Sequence, residues 1–372
     1  MKIVVWTFQL RKILGFLRLY GLYRTAVKFV GRNRSKYAGY FGWIIRGPSE
    51  RADISVIGCG QFSFSTICFF LYRNLGNRFL ETYDPDLDRS DSMRRFWKFR
   101  DQSNDAEHLI SNPHCTYVYI ASNHSTHLAY AERALAAGKR VHIEKPLCTT
   151  FESLALLRGL VNQFGYRMTA GYNRPYAPAN REAVPLIERN SPLMIQAHVC
   201  GHKIPKDHWY RAPDEGTRIC GNTGHWIDLA VFLWNCKGSL GREFQIRLIP
   251  ADPENPDDNY TLCIKNTSGE LLTLSMFSLQ EPVLGINEII HLHQENLTVT
   301  IQDYRFMEIQ TPDTWRKKSF KRKDVGHEEC LMQIIRHQIR DWKELCISSE
   351  LTLHVARMVV DREFEKRVII QD

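Results

Sequence analysis

Residues 53–63 read DISVIGCGQFS, a short β-branched run that ends in two glycines, Gly58 and Gly60. In a turn between a strand and a helix, the first glycine allows a tight bend and the second lets the backbone approach a pyrophosphate. The N-terminus of the following helix then faces that anion. Ser63 stands where a third glycine or alanine is usual, and it is small enough for close helix packing. The stretch predicts a dinucleotide-binding turn.

An acid follows this turn at the expected distance. Asp84 lies 26 residues after Gly58, at the end of the next predicted strand, where a carboxylate can accept hydrogen bonds from an adenosine ribose. This spacing favours NAD as the cofactor. Arg89 and Arg94 are close enough in sequence to leave NADP open. The alternative is that YDPD is only a turn that Asp and Pro initiate.

Outward from this turn, the predicted elements alternate between strand and helix up to about residue 150, which indicates an α/β, Rossmann-type doubly wound parallel sheet. Later residues are mostly strands, with hairpins around NTSGE and HQEN and two closing helices near 325–345 and 351–367. We therefore predict three regions. They are a basic amphipathic extension and linker (1–51), an NAD(P)-binding Rossmann domain (52–150), and an α+β domain with a large, mostly antiparallel sheet for substrate binding and oligomerisation (151–372).

The net charge of +8 is concentrated at one end of the 372-residue chain. Residues 1–51 hold eleven Lys and Arg against one acid, whereas the remainder holds 38 bases against 40 acids. A nucleic-acid enzyme is expected to carry basic charge on its folded body, so no nucleic-acid partner is predicted. The ten cysteines show no CxxC pair, which predicts neither a metal site nor a disulfide framework and fits a reducing cytoplasm.

Residues 8–30 place Leu10, Ile13, Leu14, Leu17 and Tyr20 on one helical stripe, and Gly21 interrupts it. One interpretation is a helix packed on the body of the protein. The other is peripheral membrane contact through residues 1–36, with basic side chains attracted to anionic lipid at the cytoplasmic face. No stretch approaches the ~20 apolar residues of a spanning helix, and no secretory signal is predicted.

Residues 138–147, GKRVHIEKPL, end an apolar strand with the charged pair Glu144 and Lys145. Ligands bind beyond the carboxyl ends of strands in an open α/β sheet. A lysine there that faces a nicotinamide has its ammonium disfavoured by the positive charge and by burial, which lowers its pKa towards the range useful for proton transfer. A structural ion pair is the alternative for this motif taken alone.

The motifs VIGCGQFS, YDPD, IASNHSTHLAYAERALAAGKRVHIEKPL, GYNRPYAPA and GNTGHWIDL occur in this order. Together they resemble the glucose-fructose oxidoreductase / inositol dehydrogenase / rhizopine-catabolism family, the Gfo/Idh/MocA oxidoreductases. The match runs from about residue 53 to the C-terminus, and it is most specific over residues 120–147. The N-terminal segment is similar to extensions of members associated with bacterial polysaccharide assembly.

The resemblance implies a set of site residues. The catalytic residues are Lys145 and His225. The cofactor contacts are Gly58, Gly60, Gln61, Phe62, Asp84, Ala121, Ser122, Asn123, His127, Glu144, Lys145 and Asn173. The substrate contacts are Tyr172, Arg174, Asn222 and Asp228. Tyr172, Asn173 and Arg174 mark the entrance to the substrate site.

Two features of GNTGHWID bear on the mechanism. His225 and Asp228 are spaced i, i+3, so one helix face would present both, and the acid could orient the imidazole. Asn222 stands where one branch of the family has Glu, and an amide cannot take a proton. Proton handling is therefore expected to fall to Lys145 and His225.

The sequence thus predicts an NAD-dependent oxidoreductase, with NADP not excluded, that moves hydride between a sugar or sugar-nucleotide hydroxyl and nicotinamide, in glycan or polysaccharide biosynthesis. A homo-oligomer and a cytoplasmic location are expected. Two alternatives stay open. One is an NAD-dependent glycosidase that uses transient oxidation. The other is a non-catalytic, cofactor-binding partner of a membrane glycan assembly.

Overall fold

The computed structural model describes residues 13–34, 45–278 and 285–370. The chain forms two compact units. Among the described residues, one unit contains residues 20–34, 45–172 and 327–342, and the other contains residues 13–19, 173–278, 285–326 and 343–370. We call them the Rossmann unit and the sheet unit. Among the described residues, no helix combines the length and apolar character needed to cross a bilayer.

The Rossmann unit is built on a six-stranded, wholly parallel sheet. The strand order is β3-β2-β1-β4-β5-β6, which reverses direction at β1 and β4 and so creates the crevice where dinucleotides bind in such sheets. The strands are β1 (Ile54–Ile57), β2 (Phe79–Tyr83), β3 (Asp101–Gln102), β4 (Tyr117–Ile120), β5 (Arg140–Ile143) and β6 (Met168–Ala170).

Helices cover this sheet, and the helix after β1 starts at Gln61 and contains a π-helical turn at Ser63–Ile67. The helices of the unit are α1 (Leu22–Arg32), α2 (Cys68–Leu75), α3 (Leu87–Trp97), α4 (Ala106–Ser111), α5 (His127–Ala136), α6 (Phe151–Phe164) and α9 (His327–Arg336), with 3-10 turns at His124–Thr126 and Gly165–Arg167. One buried cluster joins α1, α2, α3, α9 and the central strands. The two-sided burial explains the continuous apolar runs of β1 and β4.

The N-terminal segment is helical at residues 13–20, breaks at Gly21 with φ of 80°, and resumes as α1. Val27 and Val30 of α1 are buried in the Rossmann core, as is Ile45 from the predicted linker. This supports the interpretation of a helix packed on the body. Residues 1–12 and 35–36 of the segment predicted to contact a membrane lie outside the described residues.

The sheet unit contains a nine-stranded sheet in the order β14-β13-β12-β11-β7-β10-β9-β8-β15. All its neighbouring strands pair antiparallel except β7 and β10. The strands are β7 (Met194–Cys200), β8 (Glu243–Pro250), β9 (Tyr260–Asn266), β10 (Leu271–Phe277), β11 (Asn287–Gln294), β12 (Leu297–Gln302), β13 (Phe306–Gln310), β14 (Trp315–Ser319) and β15 (Glu365–Ile369). This confirms the predicted fold class.

The helices of the sheet unit are α7 (Pro178–Ala183), α8 (Gly224–Lys237) and α10, which runs from Trp342 to Asp361. The 3-10 turns are Arg174–Tyr176, Val184–Leu186, Trp209–Arg211 and Pro213–Glu215, and a π-helical turn at Ile219–Thr223 leads into α8. Helix α8 is apolar nearly all round and buried, with Trp234 stacked 6.4 Å from Phe244 of β8.

Two boundaries differ from the sequence prediction. The Rossmann unit continues to Tyr172, because β6 pairs with β5. Helix α9 also belongs to this unit, and Tyr119 Oη of β4 donates a hydrogen bond to Leu331 O of α9 (2.8 Å). The predicted second closing helix ends at Asp361, and residues 365–369 instead pair with β8. In both cases a partner distant in sequence decides the structure.

Candidate active site

The glycine turn between β1 and α2 gives its two glycines different tasks. Gly58 has φ of 89°, and an added Cβ would lie 2.5 Å from Ala121 C and Ser122 N, so only glycine fits there. A Cβ on Gly60 would enter open space. No atom of the described residues therefore blocks the approach to the Gly60 backbone on the side where a Cβ would lie, and a pyrophosphate needs such an opening.

Ser63, which departs from the usual glycine or alanine, has a defined role. It is fully buried and its hydroxyl donates to Gly58 O (2.5 Å), which ties the first turn of the helix to the strand end. Ser63 also starts a π-helical turn within the first residues of the helix, a feature often found at functional sites. Ser63 thus supports the turn.

Asp84 stands at the end of β2, beside the turn. Its Oδ2 accepts from Cys59 N (2.7 Å) and its Oδ1 from Asp86 N (2.9 Å). Cys59 lies between the two glycines, so the carboxylate is fixed against the turn, with lone pairs left on both oxygens. This is the position from which a carboxylate can accept ribose hydroxyls.

The side chains of Gln61 and Phe62 are engaged within the Rossmann unit. Gln61 Nε2 donates to Lys28 O of α1 (3.3 Å), and the Phe62 ring lies 5.5 Å from the ring of His327. A contribution of these two residues to cofactor binding would come from their backbone N–H groups.

The loop after β4 and the loop after β5 are joined by His127. Its Nδ1 lies 2.8 Å from Pro146 O and its Nε2 lies 3.2 Å from Ser122 O. Burial lowers the pKa of His127, although both carbonyl groups oppose this effect. Ala121 and Ser122 are half-buried and Asn123 is exposed. His127 therefore brackets two loops at the carboxyl edge of the sheet, where these residues lie.

Glu144 and Lys145 end β5 at the same edge. Glu144 is buried, its Oε1 lies 3.4 Å from His142 Nε2, and a Cβ on Gly171 would lie 2.6 Å from its Oε2. Lys145 is half-buried, and its peptide bond to Pro146 is cis. Glu144 packs under the strand end, while Lys145 stands at the edge itself.

The predicted entrance residues are all buried and differ in their hydrogen-bond partners. Tyr172 is 1% exposed at the end of the Rossmann unit, and its contact with a substrate stays a prediction. Asn173 is also 1% exposed; its Nδ2 donates to Val325 O (2.5 Å), and its buried Oδ1 has no hydrogen-bond partner among the described residues. A buried acceptor of this kind is a candidate ligand contact.

Arg174 is buried in an ion pair, and its contact with a substrate stays a prediction. Its Nε and Nη2 donate to the two carboxylate oxygens of Glu288 (3.0 and 3.1 Å), and its guanidinium lies 4.3 Å from the centre of a Trp226 ring. Trp226 Nε1 also donates to Glu288 Oε2 (3.1 Å). Arg174 therefore anchors α8.

Asn222 lies in the π-helical turn before α8. Its Oδ1 accepts from Tyr210 Oη (3.0 Å), and the Tyr210 ring packs so closely that any side chain at Gly221 would overlap it. Burial raises the pKa of Tyr210, so the phenol stays a neutral donor. The amide of Asn222 is thus oriented with its Nδ2 available as a donor.

His225 and Asp228 lie on α8, as the sequence predicts, but in unlike environments. His225 is half-buried, beside the Trp226 ring. Asp228 is fully buried and accepts from Ser348 Oγ of α10 (3.2 Å). Its burial places Asp228 in the packing of α8 and α10, and its contact with a substrate stays a prediction.

Sequence reasoning missed three residues that shape these regions, namely Glu288, Tyr210 and Arg34. Glu288 sits among the apolar residues of β11, and a lone acid in a buried strand is a signal that a cation must face it. No local pattern pointed to Tyr210 or Arg34, because their hydrogen-bond partners Asn222 and Cys59 lie 12 and 25 positions away.

Comparison with known proteins agrees with this geometry. Residues 52–172 match the family model described as an oxidoreductase family with an NAD-binding Rossmann fold. An inositol 2-dehydrogenase of Pseudomonas fluorescens is 31% identical over 105 residues, which are 27% of this chain and 30% of that protein. The chain spans less than half the length of the first curated relatives it matches.

Two solved structures share the whole fold. GenD2 from gentamicin A biosynthesis, in complex with NAD, is 16% identical with a TM-score of 0.69, over 88% of this chain and 99% of that one. The UDP-N-acetylglucosamine 3-dehydrogenase GnnA of Acidithiobacillus ferrooxidans is 18% identical with a TM-score of 0.64, over 83% and 96%. At these identities the likeness establishes the fold.

Residues 52–172 match a family model with an NAD-binding Rossmann fold. The open space at Gly60 and the position of Asp84 beside the glycine turn agree with NAD binding. Over residues 52–172, the chain is similar to the Gfo/Idh/MocA family of oxidoreductases.

Proposed function

We propose that the protein is an NAD(P)-dependent oxidoreductase that acts on a CH–OH group of a sugar or sugar nucleotide. The observation that carries the proposal is the glycine turn, in which Gly60 leaves open space while Asp84 is fixed beside it. This arrangement fits a bound dinucleotide, with the pyrophosphate against Gly60 and the ribose against Asp84. The bound cofactor supplies a hydride acceptor or donor at its nicotinamide.

Lys145 is the proposed proton-transfer residue. It stands at the carboxyl edge of the sheet, on a strand end that Glu144 and His127 hold in place. A lysine moves a proton at neutral pH only if its surroundings disfavour the ammonium, and a positively charged nicotinamide beside it would do so. The chain's second candidate for proton transfer is His225. Asn222 is proposed to donate a hydrogen bond from Nδ2 to a substrate hydroxyl.

The finer substrate class is a sugar nucleotide or a glycan precursor in polysaccharide biosynthesis. GnnA, named as a UDP-N-acetylglucosamine dehydrogenase, shares the fold of both units. Binding of the substrate in a fixed pose would supply much of the rate, since the reacting atoms must be aligned. The glycosidase alternative predicts cleaved product without net reduction of the cofactor, so product analysis separates the two reactions.

The test starts with mass spectrometry of any copurifying nucleotide, followed by titration of NAD and NADP into the apoprotein. NAD binding that weakens in Asp84→Ala supports the site. A panel of UDP-sugars and free polyols is then screened for NADH formation. With a substrate in hand, Lys145→Ala should lose turnover by ~10²–10⁴-fold while still binding NAD.

Lys145→Arg is the matched control, because it keeps the positive charge but cannot give up its proton in the working pH range. If proton transfer is the role, this variant is as slow as Lys145→Ala. If turnover returns, Lys145 acts only as a charge. If the wild-type protein binds neither nucleotide, the oxidoreductase proposal fails.

A homo-oligomer formed through the nine-stranded sheet is also proposed. Large apolar side chains are exposed on its strands, among them Ile249, Phe277, Phe306 and Trp315. Sedimentation velocity measures the assembly, and a strictly monomeric protein at high concentration contradicts the proposal.

Peripheral membrane contact at a cytoplasmic face remains a separate proposal. Leu22 and Phe29 of α1 and Ile13 and Leu14 before it are exposed, which supports it. Sedimentation with anionic lipid vesicles, for the full chain and for variants with these residues replaced by Ser, tests the contact. Equal, negligible binding contradicts it.

A further inference from the structure

Helix α1 meets the nucleotide-binding turn at close range. A Cβ added to Gly31 would lie 2.9 Å from Phe64 Cδ1 and 3.0 Å from both amide atoms of Gln61. Gln61 and Phe64 belong to the start of the helix whose N-terminus faces the proposed pyrophosphate. The end of α1 is therefore packed against the phosphate-binding end of that helix, although α1 lies outside the matched residues 52–172.

Arg34, two residues beyond α1, reaches the turn itself. Its Nη1 donates to Cys59 O (2.5 Å), its Nε donates to Gly31 O (3.1 Å), and its guanidinium lies 5.2 Å from the centre of the Phe64 ring. Cys59 is the residue between Gly58 and Gly60. The two bonds and the stacked ring fix the guanidinium beside the peptide that approaches the cofactor.

Several ionisable groups lie close to the Arg34 guanidinium. Asp84, Arg89 and the Cys59 thiol act electrostatically on Arg34, and the carboxylate of Asp84 is held by Cys59 N. Burial lowers the pKa of Arg34, although a guanidinium keeps its charge in proteins. A guanidinium has five N–H donors, and the two bonds named above use two of them.

We propose that Arg34 binds a phosphate group of the dinucleotide, so that the N-terminal extension completes the cofactor site. The inference rests on the proposed function, because it requires a dinucleotide in the turn. Cys59 O and the Phe64 ring hold the guanidinium, and its remaining N–H groups meet the phosphate oxygens. The phosphate is either the pyrophosphate of NAD or NADP or the 2′-phosphate of NADP.

The test measures dissociation constants of NAD, NADP and phosphate-free adenosine for the full chain and for Arg34→Ala, Arg34→Lys and Arg32→Ala. Arg32 is an exposed arginine at the end of the same helix and serves as the matched control. Loss of a hydrogen bond to a charged group predicts ~10–100-fold weaker dinucleotide binding in Arg34→Ala. Arg34→Lys should recover part of it, and Arg32→Ala should bind as wild type does.

Comparison of the NAD, NADP and adenosine titrations shows which phosphate group Arg34 binds. Equal weakening for NAD and NADP identifies the pyrophosphate, and weakening for NADP alone identifies the 2′-phosphate. Adenosine affinity should be unchanged in either case, and the dependence of dinucleotide affinity on salt should become shallower in Arg34→Ala.

Two results overturn the inference while the proposed function stands. One is wild-type NAD affinity in Arg34→Ala. The other is an equal loss for adenosine and NAD, which would mean that Arg34 only shapes the turn. A wild-type chain that binds no dinucleotide overturns the proposed function, and the inference with it.

Discussion

Two π-helical turns occur in the part of the chain that the structure describes, each near the start of a helix that carries predicted site residues, and they are held in different ways. The turn at Ser63–Ile67 is tied by the Ser63 hydroxyl to Gly58 O, five residues away. The turn at Ile219–Thr223 is packed by Tyr210 on Gly221 and by a hydrogen bond between the hydroxyls of Thr223 and Tyr260. The first is largely local, and the second depends on tertiary neighbours.

The difference explains which sequence predictions succeeded in each region. Around the first turn, short spacings and small residues determine the geometry, so the sequence could predict that Gly58, Gly60 and Asp84 lie together at one turn. Around the second, the polar residues Arg174 and Asp228 resemble ligands in sequence but are buried against Glu288 and Ser348. A polar side chain can serve structure or substrate, and only its neighbours decide between them.

The largest expected effect concerns the distant support of the second turn. Arg174→Ala leaves Glu288 buried without its cation, and breaking a buried pair in this way costs about 3–5 kcal/mol of unfolding free energy. Urea titration followed by tryptophan fluorescence measures it. The exposed Arg181 of α7 is the control, and Arg181→Ala should change stability by less than about 0.5 kcal/mol.

The double variant Arg174→Met, Glu288→Leu sharpens this test, because it removes both charges together. It should recover much of the lost stability. If Arg174→Ala is as stable as the wild-type protein, the ion pair does not anchor α8.

An intermediate effect is expected at the first turn, where the two glycines should separate stability from binding. Gly58→Ala forces a side chain into positive φ and against Ala121, which costs about 1–3 kcal/mol and abolishes NAD binding. Gly60→Ala should leave the thermal midpoint unchanged and weaken NAD, because its methyl group fills the space kept for the pyrophosphate. If Gly60→Ala binds NAD as tightly as the wild-type protein does, the pyrophosphate does not lie against Gly60.

The smallest effect is a pH dependence at His127. Its pKa is lowered in the folded protein, so below about pH 6.5 the unfolded chain binds more protons than the folded one, and stability falls as the pH falls towards the folded-state pKa. His127→Asn, which can still donate to one carbonyl, should lose less stability than wild type over this window. The unfolding free energies of both proteins are measured in urea at a series of pH values. If they fall equally with pH, His127 is not the group responsible.

Much of the fold could be predicted from the sequence because its signals are local. The alternation of strands and helices after residue 53 and the two hairpins of the sheet unit were predicted correctly. The extent of the Rossmann unit was not, because β6 and α9 join it through contacts with β5 and Tyr119. Residues 365–369 likewise become a strand only because β8 has a free edge.

The sequence by itself determined the dinucleotide turn, since Gly58, Gly60, Ser63 and Asp84 act within one strand-turn-helix-strand unit whose geometry follows from backbone sterics. Tertiary structure alone decided which charged residues are structural and which stand at the sheet edge. It buried Arg174 and Asp228, left Lys145 half-buried, and brought Arg34 to Cys59. The physical reason is desolvation, because a charge taken out of water must find its partner wherever the fold supplies one.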